Sequence, residues 1–181
     1  AQIGDSGYIM AGTTESFGKG FFSIWLIRCD AKGDSLWSRL MEGTMVSTAN
    51  SIALTSDGGF IVAGRGKENI LKLDSNGRKE WGKRYGWIFN SAEQTSDGGY
   101  IAAGDSIFQQ LEWDYIPSLT IVKLDREGNL EWCNPLGNNF LGSAFDIHQT
   151  PDGGYFFSGD SIVMNLYDHS HFAIAVKLDS S

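Results

Sequence analysis

The sequence is poor in the residues that mark several common protein classes. It has two cysteines in 181 residues, Cys29 and Cys133, in different repeats and with no C-x-x-C spacing. That argues against a disulfide framework and against a cysteine-ligated metal site. Cys29 takes a repeat position held elsewhere by Leu73, Leu124 and Leu178, so it reads as a small buried apolar residue. Basic residues are scarce and unclustered: 14 Lys and Arg against 22 Asp and Glu give a formal charge of −8. Nucleic acids and anionic membrane surfaces need a basic partner, so neither is expected. No apolar run is long enough to cross a bilayer, so no membrane insertion is expected. No signal-peptide pattern occurs, but the chain starts inside a repeat, so a leader would lie upstream. Also missing are helical periodicity, a glycine-rich phosphate loop and a serine elbow motif.

What is present is glycine, 23 residues of it, with 13% aromatics and 41% hydrophobic residues. That is enough apolar content for a sizeable core and the balance of a turn-rich all-β chain. Two motifs recur in fixed register. Asp5, Asp57, Asp97 and Asp152 are each followed seven positions later by a glycine: Gly12, Gly64, Gly104 and Gly159. Asp30, Asp74 and Asp125 each precede a tryptophan by seven: Trp37, Trp81 and Trp132. The fourth equivalent, Asp179, falls two residues before the end of the sequence. The first acid repeats after 52 residues (Asp5 to Asp57), 40 (Asp57 to Asp97) and 55 (Asp97 to Asp152). Periods of this size suggest propeller blades or helical solenoids, and short alternating β-branched and aromatic runs exclude the solenoid.

Each repeat reads as four strands, a to d. Strand a is SIALTS, NSAEQTS or AFDIHQT, and an Asp-Gly-Gly turn leads to strand b, as in FIVAG and YIAAG. Glycine there supplies the positive φ a hairpin turn needs, and aspartate can bond its own turn backbone. Strand b is apolar at consecutive positions, so both its faces should be covered. Strand c, as in NILKLD, carries Arg28, Lys72, Lys123 or Lys177 two places before its aspartate. A basic residue at one position in every repeat reads as structural rather than as a phosphate site. DAKG, DSNG and DREG form the c–d turn. An Asp-x-Asn-Gly calcium loop at Asp74 is disfavoured, because the other copies place Lys32 and Glu127 where Asn76 stands.

LDSNGRKEW and LDREGNLEW resemble the tryptophan-docking repeat of pyrroloquinoline quinone-type β-propellers. The DGGYIAAG half resembles the repeats of bacterial and archaeal surface propellers. The resemblance implies an all-β propeller of four-stranded antiparallel blades, with tryptophan packed against the next blade. Nothing matches the quinone-binding residues, so no cofactor is expected. A single propeller domain over 1–181 would comprise blades near 1–43, 44–86, 87–137 and 138–181. The first and last blades are incomplete, and neither terminus supplies the strand the other lacks. The expectation is four blades of a larger propeller, continued covalently, or copies that associate through open blade edges.

Function is expected on the rim where segment lengths vary. From the strand-b glycine to the strand-c aspartate the separations are 18, 10, 21 and 20, whereas the a–b and c–d turns keep their length. Diversity confined to one end of a regular scaffold is what loop-borne binding looks like. Those segments hold Phe17, Phe21 and Phe22, then Phe108, Trp113 and Tyr115, then Tyr167 and Asp168. Aromatic faces with carboxylates suit a sugar, although such aromatics also cover blade tops. His169 and His171 are a candidate metal pair at i and i+2, with an exposed polar segment as the simpler reading. Glu93, Asp146 and His148, with Ser91, share a parity on strand a and are the catalytic candidates. Wet channels tolerate such groups without using them. The leading expectation is a non-catalytic module of an extracellular or cell-surface protein that binds a glycan or a protein. The alternatives are a polysaccharide hydrolase or lyase acting in the central funnel, and an assembly module.

Overall fold

A computed structural model describes residues 1–17, 22–41, 47–111, 114–136, 142–165 and 168–179. At 106–111, 114–117, 162–165, 168 and 169 only the backbone is described. The described residues form four antiparallel sheets and no α-helix. They group into two compact units, Ala1–Tyr85 and Gly86–Ser181.

In the first unit, β1 (Tyr8–Thr14), β2 (Ser23–Cys29) and β3 (Ser35–Met41) make a three-stranded sheet. β4 (Thr48–Leu54), β5 (Phe60–Arg65), β6 (Ile70–Leu73) and β7 (Lys79–Lys83) make a four-stranded one. In the second unit, β8 (Ile88–Gln94), β9 (Tyr100–Leu111), β10 (Asp114–Leu124) and β11 (Leu130–Pro135) form four strands in sequence order. β12 (Ala144–Gln149), β13 (Tyr155–Asn165) and β14 (Asp168–Leu178) form the last three. Each sheet is a meander of neighbouring strands, as short turns dictate.

The repeated motifs now have separate physical reasons. In the a–b turn the Asp57 carboxylate accepts from the Thr55 hydroxyl at 2.5 Å and the Gly59 amide at 2.9 Å. Asp97 and Asp152 do the same in their own turns. The first glycine of each pair takes positive φ: Gly58 +80°, Gly98 +84° and Gly153 +85°. The second is needed for space, because a Cβ on Gly59, Gly99 or Gly154 would lie 2.2, 2.3 or 2.4 Å from a strand-c carbonyl oxygen. The strand-b glycine has a third reason. Strand a shifts register by one residue at Ala49/Ser51, Phe89/Ser91 and Ala144/Asp146. This bulge presses the strand-a backbone onto strand b. A Cβ on Gly64 or Gly104 would sit 1.9 or 2.0 Å from a strand-a carbonyl oxygen, and one on Gly159 would sit 2.2 Å from the carbonyl oxygen of Ser143, just before β12. Around Gly12 the space is open.

The recurrent basic residue is a strut that reaches from strand c to the a–b turn and, in two sheets, to an acid on strand d. Lys72 Nζ, on a side chain only 3% exposed, meets Asp57 at 2.8 Å, Glu80 at 3.1 Å and the Leu73 carbonyl at 3.0 Å. Lys123 repeats this with Asp97, Glu131 and the Leu124 carbonyl. Lys177 pairs with Asp152 but is 49% exposed. In the first sheet Arg28 donates to backbone carbonyls of Ser6 and Tyr8. The c–d turn aspartates cap their own backbone: Asp74 accepts from the amides of Asn76 and Arg78 at 2.9 and 2.8 Å.

Within each unit the sheets share an apolar core. Ile9, Ile24 and Leu26 pack with Phe60, Val62, Leu71 and Leu73 in the first. Ile101, Leu119 and Ile121 pack with Ile147, Tyr155 and Phe157 in the second. Tryptophan crosses from one sheet to the next. The Trp37 ring lies over Gly77, where a Cβ would be only 2.6 Å away, and Arg39 beside it donates to the Asn76 carbonyl at 2.7 Å. In the second unit Trp132 meets Tyr155 edge-on, with ring centroids 5.8 Å apart.

Candidate functional site

Strands β8 and β12 are each the first strand of a sheet in the second unit, and side chains join them in a row. Asn90 donates to the Ala144 carbonyl at 2.9 Å. The Ser91 hydroxyl donates to Asp146 Oδ1 at 2.7 Å. His148 places Nδ1 2.9 Å from Glu93 Oε2 and Nε2 3.0 Å from Asp146 Oδ2. The other Glu93 oxygen accepts from the Gln149 amide, and Gln149 Oε1 accepts from the Ser96 amide at 2.7 Å. The residues that strand parity grouped together are therefore joined in one hydrogen-bonded chain, Ser91 to Asp146 to His148 to Glu93.

A carboxylate only accepts, so an imidazole facing two of them is best satisfied when both ring nitrogens carry protons. The hydrogen bond that Glu93 accepts raises the His148 pKa above the ordinary histidine value; partial burial opposes it, and the charges of Asp146 and Glu93 add to it. The arrangement of the cluster favours the protonated imidazole between two carboxyl groups. The Ser91 hydroxyl is directed to Asp146 and not to the imidazole, so the geometry is not that of an activated nucleophile. Among the described residues no group of three His, Cys, Asp or Glu side chains is arranged to hold a metal ion.

Two of the variable segments are strands for most of their length. β9 and β10 stay paired beyond Gly104, from Asp105 opposite Leu119 to Leu111 opposite Asp114. β13 and β14 do so beyond Gly159, from Asp160 opposite Ala173 to Asn165 opposite Asp168. What sequence composition presents as loops is a pair of long β-hairpins. Phe108 and Tyr115 lie on the first hairpin and Asp168 and His169 on the second, with only their backbones described. Trp113 and Tyr167 lie outside the described residues.

Both hairpins have an aspartate at the root. Asp160 accepts from the Ser143 amide at 2.7 Å and pairs with His171 Nδ1 at 3.1 Å. Asp105 Oδ2 accepts from Asn90 at 3.3 Å, while its Oδ1 is buried without a hydrogen-bond partner. Burial pushes the Asp105 pKa up and the Asp160 charge adds to this, against hydrogen bonds from Ser143, Asn90 and the Ala144 amide. Asn90 touches both this root and the β8–β12 row. Sequence reading passed over Asp105 and Asp160, although the repeat of Gly-Asp-Ser-Ile at 104–107 and 159–162 marks them.

In the first unit Phe17 and Trp25 stand with ring centroids 5.5 Å apart, tilted by 47°. With Ser38 and Leu40 they bound a shallow depression of about 310 Å³. Comparison with known proteins finds no family model and no curated protein sequence that matches this chain.

Proposed function

We propose that this chain is a non-catalytic binding module, built of tryptophan-docking propeller blades, that takes a hydroxyl-rich ligand such as a glycan on its hairpin rim. Its main support is that two of the segments of variable length are strand-paired hairpins standing on regular sheets. A strand-paired arm has less backbone freedom to lose on binding than an unpaired loop, which favours recognition. The arms carry Phe108, Trp113, Tyr115, Tyr167 and Asp168, aromatic faces for stacking and an acid to accept from hydroxyls. Asp160 and His171 at the roots extend the acceptor set. A non-catalytic role fits the β8–β12 row, whose carboxylates and imidazole are already engaged with one another. The resemblance to surface propellers favours an extracellular or cell-surface setting.

The test is a glycan array probed with the labelled full chain, followed by Trp113→Ala and Tyr115→Ala. Each variant should weaken binding by about tenfold or more at an unchanged melting temperature. An array with no bound glycan, or binding that survives both changes, would overturn the proposal. Cleavage of an array polysaccharide that is lost in Glu93→Gln would point to catalysis instead.

A further inference from the structure

We infer that His148 is a proton-operated clasp between β8 and β12, closed when the imidazole is charged and slackened when it is neutral. The inference does not depend on the binding proposal. It rests on where the ring sits: His148 belongs to β12, yet Nδ1 reaches Glu93 on β8 at 2.9 Å while Nε2 is held by Asp146 of its own strand at 3.0 Å.

A neutral imidazole has one N–H and one lone pair. Whichever tautomer forms, one carboxylate oxygen about 3 Å away then faces a lone pair, and the two anions lose the cation between them. The ring is 62% exposed, so it can swing into water instead. The side chains of Asn90, Ser91 and Gln149 in the same row carry no charge near neutrality. Glu93 keeps the Gln149 amide through its second oxygen, and Asp146 keeps Ser91 and the Ile147 amide. The strands therefore loosen at one rung and do not part.

The surroundings leave His148 as the responsive group. On β13 its cross-strand neighbour is Phe156, and opposite Phe156 on β14 stands Lys177, whose ammonium pairs with Asp152. On β9 the residue opposite Glu93 is Ile101. The acids facing the ring are Glu93 and Asp146, and both stabilise its charged form. A pKa raised in the folded state means that the clasp is fully closed below the ordinary histidine value and opens as pH rises through the raised one.

The experiment follows ring titration of His148 by NMR and amide hydrogen exchange at Ser96 and Gln149, corrected for the intrinsic pH dependence of exchange, in the full chain. Protection of these amides should fall severalfold between pH 5.5 and pH 9. His148→Gln should flatten the profile. Glu93→Gln should bring the His148 midpoint back toward about 6.5, and it serves if His148→Gln does not fold. His171→Gln, at the Asp160 pair, should leave the profile unchanged. The inference fails if His148→Gln shows the wild-type profile, or if the wild-type ring titrates at the ordinary value and Glu93→Gln does not move it.

Discussion

Replacing Lys123 by Met removes a cation while keeping most of its apolar stem, and the surroundings set the cost. The side chain is 4% exposed, and its Nζ meets Asp97 at 2.8 Å, Glu131 at 3.1 Å and the Leu124 carbonyl at 3.2 Å. Burial would lower the Lys123 pKa, but the bonds to Asp97 and Glu131 outweigh it and the net shift is upward. Breaking a fully buried ion pair costs about 3–5 kcal/mol, whereas an exposed pair is worth about 0.2–1. Here the lysine is buried while the side chains of Asp97 and Glu131 are 59% and 47% exposed, so the orphaned carboxylates rehydrate. The Leu124 carbonyl also loses a donor, worth about 1 kcal/mol. The expected loss is therefore about 2 kcal/mol, read from urea unfolding midpoints at constant m-value. Lys177→Met is the internal control. Its side chain is 49% exposed and pairs with Asp152 alone among described partners, so the loss should stay below about 1 kcal/mol. Equal losses for the two variants would refute the claim that burial of the strut sets its value. So would a Lys123→Met variant as stable as the parent.

Acid should weaken the same struts in a defined window. Burial would raise the pKa of Asp57 and Asp97, yet bonds from Lys72 and Thr55, and from Lys123 and Thr95, bring each down to about 2. A depressed folded pKa stabilises above the unfolded value of about 4, and that contribution disappears as pH falls through about 2. Urea midpoints measured from pH 5 to pH 2 should decline, and the decline should shrink in Asp57→Asn with Asp97→Asn. The strand-b glycines separate by environment: Gly64→Ala drives a Cβ to 1.9 Å from the Thr48 carbonyl oxygen, whereas Gly12→Ala enters open space. The first should cost about 2–3 kcal/mol and the second less than about 0.5, by thermal or urea unfolding; similar costs would mean that the strand-a bulge yields easily.

The order of strands was legible because turn chemistry is local. An Asp-Gly-Gly or Asp-x-x-Gly segment places a reversal wherever it occurs, and the apolar runs between reversals leave little choice but neighbouring antiparallel strands. Parity along strand a was also enough to group Ser91, Glu93, Asp146 and His148 on one side, because side chains alternate along a strand. Parity does not say which hydroxyl meets which acid, or that the imidazole lies between two carboxylates. Those facts depend on the bulges in β8 and β12 and on how the two strands approach, which no local pattern encodes.

The variable segments show the opposite case. Asp-Ser-Ile-Phe-Gln-Gln-Leu-Glu-Trp-Asp-Tyr-Ile-Pro-Ser, at 105–118, carries mixed polar, aromatic and apolar residues with a proline and reads as a loop. The hairpin forms because β9 and β10 are already aligned by the sheet below, so each added pair extends an existing ladder at little entropic cost. The sequence by itself determined the repeat, its turns and the basic residue in each strand c. Tertiary structure decided why each glycine is required, where each lysine finds its acids and how β8 is tied to β12. The turns are local and the other features are not: carbonyl-to-Cβ clearances and charge-to-charge distances arise only when segments tens of residues apart are packed together.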